Sequence, residues 1–179
     1  MDLKQQVEKS TAHRHSRDLI SDFVLANPGT LTELLEMSLD VKSPFHHKAC
    51  WNLELVLEQK IDWLAPSLSR FCETLPMFTD ESALRSISKI CLFITRRHFS
   101  KKDGFASDEQ LEQIASSCFD WLIGNSKVAT KAYSMRALFL LGRKFDWIHS
   151  ELSEILPKDF SMHSSAYQAV AREILKKLR

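Results

Sequence analysis

His46, His47 and Cys50 lie close together, and His46 and Cys50 are four positions apart. On a helix that spacing puts an imidazole and a thiol on one face, an arrangement able to grip a metal ion. A structural zinc site takes about four ligands, and no nearby Cys or His completes the set. The residues therefore read as a partly buried cysteine beside surface histidines. His13 and His15 are two apart and point away from each other on a helix. Cys72, Cys91 and Cys118 occupy apolar helical positions, where a thiol has a raised pKa and acts as packing. Nucleophilic catalysis needs a Cys or Ser activated by a base and oriented by a third group. No such set stands out, and the four glycines stand alone, so no Gly-rich phosphate loop exists. No catalytic residue, metal ligand or cofactor is expected.

The tryptophans admit two readings. Trp63 and Trp147 each follow an aspartate, Asp62 and Asp146, placed to cap a helix. As packing residues they wedge between neighbouring helix pairs and bury a large apolar area. As binding residues they line a concave face and anchor a peptide. Trp121 shares a Phe-Asp-Trp-Leu pattern, but at the end of its helix. Two basic groups also stand out: Arg96, Arg97, Lys101 and Lys102 around a polar stretch, and Lys176, Lys177 and Arg179. Cations near helix C-termini are favoured by the macrodipole, which explains both. With 24 basic and 23 acidic residues, the net charge of +1 lacks the basic excess typical of a nucleic-acid binder. Nucleic acid is the alternative partner, not the favoured one.

The elements that would carry these residues are helices. Hydrophobic residues make up 44% of the 179 and charged residues 26%, a globular balance. Long stretches free of Gly and Pro leave no room for the frequent turns of a sheet. A first helical segment runs to about Ala26, and Asn27-Pro28-Gly29 breaks it. Thr30 then caps a helix over 31–39, with Glu33 at the capping-box position. Ser43-Pro44 opens a helix to about Gln59, and Asp62 starts a partner ending before Pro76. Asp80 caps a helix to about Arg97, and 98–107 forms the longest loop. Helices over 107–123, 126–142, 146–156 and 161–178 complete about ten. The helix over 126–142 carries apolar residues around a broad arc, so it should be sandwiched between neighbours.

A repeat is visible. Lys60-Ile61-Asp62-Trp63-Leu64 recurs as Lys144-Phe145-Asp146-Trp147-Ile148, and Leu68-Ser69 as Leu152-Ser153, a separation of two units of about 42 residues. Asp40, Asp80, Asn125 and Asp159 each stand just before a helix, placed to accept bonds from its first amides. Paired helices at this period belong to HEAT and armadillo repeats.

Cys118-Phe119-Asp120-Trp121-Leu122-Ile123, Lys127-Val128-Ala129 and Lys131-Ala132-Tyr133-Ser134-Met135 resemble a family of small bacterial HEAT-like proteins. Leu138-Phe139-Leu140-Leu141-Gly142, Phe145-Asp146-Trp147-Ile148-His149 and Ala166-Tyr167 continue the likeness, which covers most of 45–178. Members are often labelled adenylosuccinate lyase. The signature loop of true lyases of that superfamily, Ser-Ser-x-Met-Pro-x-Lys-x-Asn, has no counterpart. Ser161-Met162-His163-Ser164-Ser165 has the wrong order and lacks the Pro, Lys and Asn.

The expectation is an all-α fold, a short HEAT/ARM-like α-solenoid of about four to five antiparallel helix pairs, forming a single helical-repeat domain over 1–179. The start of the chain lacks a secretory signal and its densest apolar run, 137–141, is too short to span a bilayer, so a cytoplasmic address without membrane contact is expected. Such scaffolds grip protein or peptide segments. The residues expected to make contact are Trp63, Arg70, Arg136, Lys144 and Trp147.

Overall fold

A computed structural model describes residues 2–179. Among them are ten α-helices, four short 3-10 helices and no strand. The helices are α1 (Leu3–Lys9), α2 (Arg14–Ala26), α3 (Leu31–Leu39), α4 (His46–Gln59), α5 (Leu68–Thr74), α6 (Glu81–Ser100), α7 (Asp108–Ile123), α8 (Val128–Leu141), α9 (Asp146–Ile155) and α10 (Ser165–Leu178). Neighbours pack antiparallel. The chain divides into two compact units, Met1–Ile90 and Cys91–Arg179, with α6 contributing residues to each. No helix among the described residues is long and apolar enough to cross a membrane.

Unit 1 is organised around α4, which packs against α1, α2 and α3. Nine of its residues are buried, on every side of the helix, from His46 and Ala49 to Val56 and Leu57. A helix covered all round must find partners for its polar groups within the protein. Glu54 is the severe case, with its side chain only 1% exposed. Ser86 Oγ donates to its Oε2 at 2.6 Å and Lys89 Nζ to its Oε1 at 2.9 Å, while the Arg85 guanidinium stands 3.6 Å away. Lys89 also meets Glu58 at 3.1 Å. Burial pulls the Lys89 pKa down, but its bonds to Glu54 and Glu58 outweigh that and leave it raised.

Unit 2 is organised the same way around α8, which packs against α7, α9 and α10. Thr130, Ser134, Met135, Ala137, Leu138 and Leu141 are buried, and Ser134 Oγ returns its proton to the Thr130 carbonyl at 2.9 Å. The outer helix α10 is different. It buries Tyr167, Val170, Ala171 and Ile174, the single stripe of a one-faced helix. At the α8–α9 corner a methyl group on Gly142 would run into the His149 ring, which donates from Nε2 to the Phe139 carbonyl at 2.8 Å.

Helix ends follow their caps, with some departures from the sequence reading. Asp80 Oδ1 accepts from the amides of Ser82 and Ala83 at 2.8 and 3.0 Å and starts α6 as expected. Ser107 forms a reciprocal capping box with Gln110 at α7, and Ser164 caps α10. Thr30 is not a cap. It lies in a 3-10 turn, Pro28–Thr30, and spends its hydroxyl on the Asn27 carbonyl at 2.8 Å. Asp40 ends α3 instead of starting the next helix, and Asp159 takes a left-handed conformation, φ 51°, without a side-chain cap bond. The segment after Asp62 begins as a 3-10 helix, Ile61–Ser67, with Pro66 inside it. Proline has no amide to donate, so regular α-helix starts only at Leu68.

Removing the Glu54 carboxylate should be far costlier than removing a surface one, because it empties a fully buried site and takes the acceptor from Ser86 and the closest acceptor from Lys89. Glu54→Ala is expected to cost about 3–5 kcal/mol in urea unfolding, against under about 1 kcal/mol for the more exposed Glu58→Ala.

Candidate functional site

The metal reading of His46 and Cys50 meets two side chains that are already engaged. Cys50 is fully buried, its Sγ 3.5 Å from the Ser38 carbonyl, and burial pushes its thiol far up. His46 is buried too, where the sequence suggested surface, and donates from Nδ1 to the Ser43 carbonyl at 2.8 Å. Burial likewise pushes the Cys72 thiol up to about 12, and Cys91 and Cys118 are buried free thiols. Among the described residues no group of three His, Cys, Asp or Glu could hold a metal ion.

The two tryptophan motifs bury the same positions in each unit. Leu64 and Leu68 are inside in the first, Ile148 and Leu152 in the second. One residue back along a helix is a turn of about 100°, so the tryptophans sit off the buried stripe. Trp63 is half-buried, with Lys60 Nζ 6.0 Å from its ring centroid. Trp147 is 53% exposed and stacks on Phe119 at 5.7 Å and 24°. Neither is a fully buried wedge.

In unit 1 a groove of about 590 Å³ is lined by residues of α1, α3, α5 and the segment 40–45. Met37, Leu39 and Phe45 give it an apolar lining, and Glu8, Glu33, Glu36, Asp40, Lys4 and Arg70 its charge. Arg70 of α5 holds Glu36 of α3 in a two-pronged ion pair, its Nη2 at 2.6 Å from Oε2. The side chains of Glu8, Glu33 and Asp40 have no ion-pair partner among the described residues. Trp63 does not line this groove.

In unit 2 a smaller cleft of about 190 Å³ lies between α6, α8 and α10. Its floor is Leu92, Phe139, Leu140 and Ile174, and its charged residues are Arg96, Arg136, Arg143, Lys177 and Glu173. Glu173 accepts from Lys177 at 2.7 Å and stands 3.7 Å from Arg136; the bond to Lys177 above all holds its carboxyl below the usual range. Lys144 pairs with Asp108 at 2.6 Å, outside the cleft. A third hollow flanks α10, lined by Phe160, Arg172, Leu175, Lys176 and Arg179 among others, with the Arg172 guanidinium 5.6 Å over the Phe160 ring.

Of the five residues expected to bind a partner, Arg70 and Arg136 each line a hollow, one in each unit, while Trp63, Lys144 and Trp147 line none of these three. Sequence reasoning missed the convergence of Arg96, Arg143 and Lys177 with Arg136. Arg136 is on α8 and Arg143 in the turn that follows it, and their convergence with residues of α6 and α10 is tertiary.

The polar stretch expected as a loop is held in shape. α6 extends to Ser100, so the loop is 101–107. Gly104, φ 65°, turns the chain back so that the amides of Phe105 and Ala106 donate to His98 Nδ1 at 3.1 and 3.2 Å. Arg97 grips both oxygens of Asp103 at 3.1 Å and lies over Phe105. Burial, then Lys144, lower the His98 pKa. Only a neutral Nδ1 can accept those two bonds, and the folded chain takes up the proton less readily than the unfolded one. This contribution to stability is therefore intact above about pH 6.5 and is lost as the pH falls from there through the lower midpoint of His98 in the folded chain. An NMR titration should find His98 below the ordinary histidine midpoint, with the Phe105 and Ala106 amide resonances moving at the same pH.

No protein-family model, curated protein or solved structure matches the chain.

Proposed function

We propose that this chain is a protein-interaction module, each unit a short stack of HEAT- or armadillo-like helix pairs, and that the groove of unit 1 receives a positively charged protein segment. The observation that carries the reading is the composition of that groove. Its apolar lining of Met37, Leu39 and Phe45 suits one or two aliphatic or aromatic anchors, and Phe45 is 36% exposed. Its rim has four carboxylates against two cations, and one of those cations, Arg70, is already taken by Glu36. Glu8, Glu33 and Asp40 are left to meet lysines or arginines of a partner. The recurrent motif at Trp63 and Trp147, burying Leu64 with Leu68 and Ile148 with Leu152, supports the helix-pair repeat.

A direct test uses labelled peptides of about 12 residues in which lysines flank a leucine or phenylalanine, with acidic counterparts as controls. The basic peptides should bind in low salt and weaken as salt rises. Glu33→Lys with Asp40→Lys, both exposed and so neutral for folding, should reduce binding roughly tenfold. Arg70→Ala, which frees Glu36, should strengthen it. Equal binding of acidic peptides, or indifference to the charge reversal, would remove the proposal.

A further inference from the structure

The cleft of unit 2 gathers positive charge that the unit does not balance. Arg96 comes from α6, Arg136 from α8, Arg143 from the turn that follows α8, and Lys177 from α10. Glu173 is the one carboxylate in the lining, and it is already bonded to Lys177 and close to Arg136. Four cations and one carboxylate leave a net charge of +3. Arg96 and Arg143 are exposed, and their side chains have no hydrogen-bond or ion-pair partner among the described residues. Holding like charges around one small hollow is unfavourable until an anion enters.

The shape of the charge narrows the ligand. The cations converge on one hollow of about 190 Å³ instead of tracking along a surface, as a nucleic-acid strand would need. Glu173 occupies the place beside Lys177 and Arg136 that a monocarboxylate would take, yet two guanidinium groups remain. A group with two negative charges and three acceptor oxygens meets such forks better than a carboxylate does. The floor beneath is apolar, with the Phe139 ring 5.7 Å from Lys177 Nζ.

We propose that this cleft binds a phosphomonoester of a small molecule, its phosphate between Arg96, Arg143 and Arg136 and its organic body on Phe139 and Ile174. Glu173 is the internal competitor that holds Lys177 and Arg136 while the cleft is empty of ligand. The site is independent of the groove in unit 1 and stands or falls separately from it.

Phenyl phosphate is a suitable probe, followed by calorimetry on the full chain in low salt, with benzoate and a single-stranded oligonucleotide as comparators. Phenyl phosphate should bind more tightly than benzoate. Arg96→Ala and Arg143→Ala should each weaken it about tenfold, while Arg172→Ala, on the other flank of α10, should leave it unchanged. Glu173→Gln should strengthen binding several-fold more than Glu151→Gln, which makes the same change of net charge on exposed α9. Matching unfolding temperatures establish that the variants fold. The proposal is overturned if the two arginine variants bind like the parent, if Glu151→Gln equals Glu173→Gln, or if only the oligonucleotide binds.

Discussion

A helix enclosed on all sides has to supply partners for its own polar atoms, and that constraint shapes both units. α4 is such a helix over 52–57, and α8 buries a broad face against α7, α9 and α10. Where their sequences carry Ser, Asn or Glu, the structure answers with a nearby carbonyl or a counter-charge. Ser134 bonds back to Thr130, Asn52 donates from Nδ2 to Lys48, and Glu54 takes Ser86 and Lys89. Asn52 Oδ1 and Thr130 Oγ1, both buried, have no partner among the described residues. Charges left unanswered inside gather in hollows between helices, the cleft of unit 2 including Arg136 of α8 itself.

The net charge of +1 hides that collection. The groove of unit 1 carries four carboxylates and two cations, and the cleft of unit 2 four cations and one carboxylate. Averaged over the chain such groups offset one another, so composition pointed away only from a dedicated nucleic-acid binder. Locally each hollow joins an apolar floor to a rim of one dominant sign.

Sequence periodicity located the helices well because their apolar spacing is regular. The broad apolar arc on 126–142 correctly marked α8 as enclosed. Ends were harder. An aspartate or threonine before a helix can cap it, end its predecessor or enter a turn, and Asp80, Asp40 and Thr30 did one each. Those outcomes depend on where the chain goes next, which local sequence does not specify. Of the residues expected to make contact, Arg70 and Arg136 line hollows, but the tryptophans that drew attention by size stand beside the buried stripe, and Arg96 of α6 and Arg143 of the turn after α8 share one cleft only through tertiary structure.

Native-state amide hydrogen exchange tests most directly whether the enclosed helices carry the fold. The slowest amides of each unit should lie in α4 and in α8, exchanging only with unfolding of the whole unit, while α2 and α10 open earlier. Protection in α2 or α10 that equals or exceeds that of α4 and α8 would contradict the account.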